Sequence, residues 1–291
     1  MQTCRVESKD GHFKPFDIGG DSLVVIAGPC SLESYELGIH IGEVMRDICE
    51  ELGFKYIFKA SFDKANRTSI NSWRGPGIES GLEQLSMIGS TLKTPTLTDI
   101  HEAWQASIAA KSVDMLQIPA FLCRQTDLLI AAAKTKKPVN IKKAQFLAPE
   151  DMLSALNKCR ESGGIACLCE RGTTMGYHQL VVDMRSLAEM RSFGCPVIFD
   201  ATHSVQKPGA NGTASGGDRS FILPLSRAAA AIGIDGIFLE THPDPSSAKC
   251  DGPNMIPLNR VKEFLTQIKK IDSLVRNEIG FTSVDFMNQA E

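Results

Sequence analysis

The sequence predicts an α/β chain folded as one (β/α)8 barrel of the TIM type, preceded by a short N-terminal extension. Three observations predict it. Eight short apolar runs punctuate the chain, at 23–29, 54–61, 95–100, 115–120, 138–144, 165–172, 196–203 and 236–242. Each is followed by a segment that reads as a helix, and such alternation marks parallel strands joined by crossover helices. The length of 291 residues accommodates the roughly 250 of one such barrel plus an extension.

Residues 1–22 form the extension. Gly11, Gly19 and Gly20, with weak alternation over 12–18, predict a hairpin closing the bottom of the barrel, the alternative being a partly ordered tail. Residues 23–291 form the barrel domain. Its strands are β-branched and almost continuously apolar, as in Val24-Val25-Ile26 and Val197-Ile198-Phe199, which fits parallel strands buried on both faces. Leu37, Ile41, Val44, Met45, Ile48 and Leu52 share one face of a helix between Glu33 and Gly53. Asp99 precedes Glu102 by three, like a capping box ahead of a helix over 101–111. A terminal amphipathic helix over 258–279 turns Val261, Phe264, Leu265, Ile268 and Ile271 inward. Residues 204–220, rich in Gly and Ser and without apolar period, read as a long loop over the mouth after strand seven, and a lid that excludes water is the reading we prefer.

A net charge of −3 argues against a general nucleic-acid binder, which needs a basic field. No stretch is long enough to span a bilayer, and the N-terminus has no apolar leader segment. Nine scattered cysteines, several inside apolar runs, suit a reducing cytoplasm with free thiols or metal thiolates.

In a barrel of this type the active site lies at the carboxyl ends of the strands, so the reactive residues there should converge. Cys30 ends strand one, His203 ends strand seven, Glu240 lies near the end of strand eight and Asp251 follows it. Thiolate, imidazole and two carboxylates form a mixed soft and hard set suited to a divalent metal ion such as Zn, Fe or Mn. Taken singly, each reads equally as a buried thiol, a capping histidine or a salt-bridged acid.

A second group is cationic. Lys59 and Lys64 flank the end of strand two, Lys142 and Lys143 lie in strand five, and Arg171 ends strand six. Alternation lets only one of Lys142 and Lys143 face the barrel axis. Cations inside apolar strands need an anionic ligand or a carboxylate partner, for which Asp99, Glu170 and Asp200 are available. Asn66, Arg67 and Thr68 suit a second phosphate, or a plain surface turn. Gln117 and Asn140 lie mid-strand. Phe121 and Leu122, with Arg124 beside them, suit contact with a neighbouring subunit.

These motifs carry a resemblance. GPCS at 28–31, KASFDKANRT at 59–68, RGPG at 74–77, LQIPAFLCRQTDLL at 116–129, NIKKAQF at 140–146, ERG at 170–172 and FDATHSVQ at 199–206 resemble the 3-deoxy-D-manno-octulosonate 8-phosphate synthases over nearly the whole chain after residue 22. The resemblance implies condensation of phosphoenolpyruvate with D-arabinose 5-phosphate and water, releasing phosphate, for lipopolysaccharide sugar biosynthesis in the cytoplasm. It implies that Lys59, Ser61, Gln117, Lys142 and Arg171 hold phosphoenolpyruvate. Lys64, Asn66, Arg67 and Thr68 would take the sugar phosphate and hydroxyls, although the family pattern has Ser where Thr68 stands. Arg124 would reach the sugar phosphate across a subunit boundary in a homotetramer. Cys at position 30, where the metal-independent branch has Asn, implies the metal-dependent branch, with His203, Glu240 and Asp251 completing the ligands and His203 also catalytic. The heptulosonate synthases that use erythrose 4-phosphate share the GPC motif but carry Pro where Asn66 stands. A non-catalytic barrel acting as a binding subunit would have a broken site, whereas every matching residue is present.

Overall fold

The computed structural model describes residues 2–8, 10–211 and 214–283. In chain order the elements are β1 (Cys4–Val6), β2 (Phe16–Ile18), β3 (Val24–Gly28), α1 (Tyr35–Leu52), β4 (Lys55–Lys59), α2 (Ile78–Leu92), β5 (Thr96–Asp99), α3 (Ala103–Ala109), β6 (Met115–Ile118), α4 (Thr126–Lys134), β7 (Val139–Lys142) and α5 (Met152–Glu161). They continue with β8 (Ala166–Glu170), β9 (Thr173–Thr174), β10 (Leu180–Val181), α6 (Arg185–Ser192), β11 (Val197–Asp200), β12 (Gln206–Asn211), β13 (Ala214–Gly217), α7 (Ile222–Ile232), β14 (Gly236–His242), β15 (Ile256–Pro257) and α8 (Val261–Leu274).

Strands β3, β4, β5, β6, β7, β8, β11 and β14 pair in parallel, each with the next, and β14 returns to β3, which closes the barrel. The pleat sorts their side chains into two layers. Val24, Ile26, Ile57, Leu97, Met115, Cys167, Cys169, Ile198 and Phe238 fill the interior. Val25, Ala27, Phe58, Leu116, Ile141, Leu168, Phe199 and Leu239 face the helices. Strands β1 and β2 pair antiparallel, and Cys4, Val6 and Ile18 join the interior cluster. The hairpin is therefore the floor of the barrel, anchored where the Gln2 amide donates to the Gly194 carbonyl just before β11.

The helices form where the apolar period and the caps agree. Ser34 caps α1 through its hydroxyl, and Gly53 ends it in the left-handed region. The cap of α3 differs from expectation. Glu102, not Asp99, is its N-cap, and Gln105 completes the box. Asp99 is unavailable because it holds the inward phase of β5 and its carboxyl points into the mouth. The terminal helix is α8 followed by a wider π turn over Val275–Ile279. The segment after β11 also departs from a structureless loop: β12 and β13 form an antiparallel hairpin with an irregular register. No described helix is long and apolar enough to cross a membrane.

Candidate active site at the barrel mouth

Residues in the inward phase of each strand that lie beyond the apolar layers emerge at the carboxyl end. This brings Lys59, Asp99, Gln117, Lys142, Arg171, Asp200 and Glu240 together, all less than a tenth exposed. Above them lies a cavity of about 330 Å³. Lys59, Lys64, Asn66, Arg67, Thr68, Gln117, Lys142, Arg171, His203 and Asp251 line it. The sequence-predicted residues outside that lining are Ser61, Cys30 and Glu240, which lie just behind it, and Arg124, which is exposed on the loop after β6.

The cationic side is tightly held. Lys59 Nζ donates to the Cys30 carbonyl at 3.1 Å and Ser61 Oγ at 3.1 Å, and lies 3.3 Å from Glu240 Oε1. Ser61 Oγ in turn donates to Asp99. Lys142 pairs with Asp200 and sits 3.3 Å above the centre of the Phe238 ring. Lys143 has the opposite phase and pairs with Glu170 outside the barrel, so Lys142 is the one that faces the axis. Arg171 Nη2 donates to Gln206 Oε1 at 2.9 Å, whereas its Nη1 is buried with no hydrogen-bond partner among the described residues. Burial pushes the Arg171 guanidinium below its ordinary pKa, against the pull of Asp200, Asp251 and Glu170. The two outcomes expected for the cations coexist: Lys59 and Lys142 have carboxylate partners, and Arg171 keeps an open donor. Converging buried cations with an open guanidinium N–H favour a small anion bearing phosphate or carboxylate groups.

Opposite lies a donor cluster. Cys30, Cys250 and Asp251 have ligand atoms within 4.8 Å of one another, as do His203, Glu240 and Asp251. Cys30 Sγ lies 3.1 Å from Asp251 Oδ2, and His203 Nε2 lies 3.7 Å from Glu240 Oε1. Asp200 Oδ2 lies 2.8 Å from His203 Nδ1 and Asp200 Oδ1 accepts from the His203 amide at 3.0 Å, with Nε2 on the side of Glu240. Burial, then Cys250, raises the Cys30 thiol well above its ordinary pKa. Burial opposes ionisation of Asp251, but His203, Lys64, the Cys30 thiol and Arg67 hold its carboxyl below the usual range. Glu240 Oε2 is buried without a hydrogen-bond partner among the described residues. An unpartnered carboxylate oxygen beside a thiol, an imidazole and a second carboxylate fits a divalent ion. Cys250, beside Asp251 in the chain, belongs to this cluster. Asp251 itself has a left-handed backbone, φ 49°, and its carboxylate lies against Cys30.

The 64–68 segment walls the outer side. Lys64 Nζ is 4.0 Å from Glu240, and the surrounding Cys30 and Glu240 raise its pKa despite its burial. Arg67 Nη2 donates to the Lys249 carbonyl at 3.4 Å, and its Nε is buried and unpartnered among the described residues.

Four residues of the site escape the sequence reading. His101 lies 3.1 Å from Asp99, Gln145 lines the cavity, and Phe238 lies under both lysines. Gln206 accepts from Arg171 and donates to Asp251 Oδ1 at 3.0 Å, so it ties the cationic side to the donor cluster. Alternation was the available signal for Phe238 (two before Glu240) and His101 (two after Asp99). Gln206 carried none beyond its place at the start of the lid segment and at the end of the FDATHSVQ motif.

Comparison with known proteins agrees with this geometry. The model of the DAHP synthetase I family matches residues 6–277. A protein of Desulfotalea psychrophila named 2-dehydro-3-deoxyphosphooctonate aldolase is 58% identical over 257 residues, covering 88% of this chain and 92% of its own. Its namesake from Fusobacterium nucleatum subsp. nucleatum is 58% identical over 259 residues, 89% of this chain and 93% of its own. That from Trichlorobacter lovleyi is 56% identical over 259 residues, 89% and 95% respectively. With matches of this extent over the barrel and its mouth, the chain belongs to the DAHP synthetase I family and, within it, to the 2-dehydro-3-deoxyphosphooctonate aldolases.

Proposed function

We propose that the chain condenses phosphoenolpyruvate with D-arabinose 5-phosphate and water to give 3-deoxy-D-manno-octulosonate 8-phosphate and inorganic phosphate. The observation that carries this reading is the meeting, in one mouth, of buried Lys59, Lys142 and Arg171 with the Lys64–Thr68 wall. Lys59, Ser61, Gln117, Lys142 and Arg171 hold the phosphate and carboxylate of phosphoenolpyruvate. Lys64, Asn66, Arg67 and Thr68 take the sugar. Carbon three of the enol attacks the sugar aldehyde, water adds at carbon two, and phosphate leaves with its bridging oxygen. The lysines and Arg171 stabilise the charge that gathers as this happens.

Cys30, His203, Glu240 and Asp251 hold a divalent ion. Zn, Fe or Mn bound there supplies Lewis acidity toward the sugar carbonyl or a water. Asp200 keeps His203 oriented, and Gln206 keeps Asp251 oriented. In this reading residues 23–291 form the catalytic domain, with 1–22 as its extension. The working form is a cytoplasmic homotetramer supplying lipopolysaccharide sugar, in which Arg124 serves a neighbour's sugar site; its exposure within one chain supports that role.

The test is phosphate release from phosphoenolpyruvate with arabinose 5-phosphate or erythrose 4-phosphate, before and after EDTA and with metal add-back. We expect release with the five-carbon sugar, loss on chelation and recovery with a divalent ion. A preference for erythrose 4-phosphate would overturn the substrate assignment, and indifference to EDTA would overturn the metal assignment.

A further inference from the structure

We infer that Lys143 and Glu170, which do not face the mouth, are positioning residues for the phosphoenolpyruvate end of the site. The inference rests on the function proposed above. Lys143 is 0% and Glu170 1% exposed, in the layer between barrel and helices. Their charged groups lie 3.5 Å apart. A buried ion pair is a weak source of stability, because desolvation offsets most of its attraction. Its placement points to another role.

Each member is the immediate chain neighbour of an anion-binding cation, Lys143 of Lys142 and Glu170 of Arg171. Glu170 Oε1 accepts from the backbone amides of Arg171 at 2.9 Å and Gly172 at 2.6 Å, and Oε2 accepts from Ser186 Oγ at 2.7 Å. That carboxylate therefore fixes the turn on which Arg171 leaves β8. Lys143 Nζ donates to Thr173 Oγ1 at 3.0 Å and reaches the carbonyls of Ala144, Leu147 and Gly172 at 3.4 to 3.5 Å. One ammonium thus joins the loop after β7 to the loop after β8. The pair sets the spacing and direction of Lys142 and Arg171 from behind, and among the described residues it has no hydrogen bond or ion pair to the 64–68 wall.

The experiment measures phosphoenolpyruvate binding by calorimetry, both Michaelis constants and Tm in wild type, Lys143→Met and Glu170→Gln, with Ser186→Ala as the mild variant should either of those fail to fold. We expect phosphoenolpyruvate binding to weaken by about tenfold or more in the two pair variants, and by a smaller factor in Ser186→Ala, while the KM for arabinose 5-phosphate stays within about twofold. Unchanged phosphoenolpyruvate binding in the folded variants would overturn the inference. So would a parallel rise of both KM values with a fall in Tm, the signature of a merely structural pair. Failure of wild type itself to bind phosphoenolpyruvate would instead overturn the functional reading on which the inference stands.

Discussion

Lys142→Met tests the cationic side most sharply, because the structure separates its two consequences. Lys142 faces Asp200, which is fully buried. Removing one partner of a buried pair costs about 3–5 kcal/mol. Asp200 would keep His203 at 2.8 Å and the His203 amide at 3.0 Å, which argues for the lower end, about 3 kcal/mol. The catalytic loss is that of one charge-stabilising donor, about 10²–10³ in kcat. Lys142→Met/Asp200→Asn leaves no bare carboxylate, so it should regain most of the stability and none of the activity. The assays are urea unfolding and phosphate release. Activity of Lys142→Met within about tenfold of wild type would refute the placement of Lys142 in the site. A double variant no more stable than the single would refute the electrostatic account. The pH dependence has a definite sign. Burial alone would raise Asp200, but His203 and Lys142 outweigh it and hold the carboxyl well below its ordinary range. A depressed carboxylate contributes stability above its unfolded pKa of about 3.9, and loses it as pH falls through the folded value. Without Lys142 the folded value rises, so acid unfolding of the single variant moves to higher pH.

Cys30→Asn should leave a folded protein whose phosphate release is less sensitive to EDTA, since the thiol is replaced by the residue of the metal-independent branch; activity lost with and without chelator would count against that branch argument. Asp114 has its pKa raised by burial, against a hydrogen bond from the Thr96 amide and the charge of Lys137. A raised carboxylate favours the fold at low pH and disfavours it as pH rises through the folded value, so Asp114→Asn should gain stability relative to wild type at pH 7 and lose that advantage near pH 4; urea midpoints at both pH values check this. Gly28→Ala would put a Cβ 2.1 Å from the Lys59 carbonyl oxygen, a backbone atom, and should cost about 1–3 kcal/mol in stability, so an unchanged urea midpoint would disprove the tight β3–β4 approach.

The barrel was legible in the sequence because burial leaves a periodic trace. Strands buried on both faces read as continuous apolar runs, and all eight runs contain the barrel strands. The same trace marked where each strand ends, and hence Lys59, Lys142, Arg171, His203 and Glu240 as neighbours. It could not choose between Lys142 and Lys143, because a period of two admits either phase. The choice is made by register: Asn140 pairs with Gln117 and Lys142 with Cys169. Nor did it disclose the β12–β13 hairpin, whose sequence carries no apolar period and which is held by contacts remote in sequence, such as Gln206 to Asp251 and His178 to the Pro208 carbonyl.

The sequence by itself therefore determined the architecture and the residue types gathered at the mouth, both consequences of which side chains must leave water. Only the tertiary structure decided how those groups pair: Lys142 with Asp200, Lys143 with Glu170, Cys250 beside Cys30, and Asp99 with Ser61 rather than with a helix end. Such pairing depends on distances of a few ångströms between ends of different strands. Closure of the barrel sets those distances, and no local pattern along one strand records them.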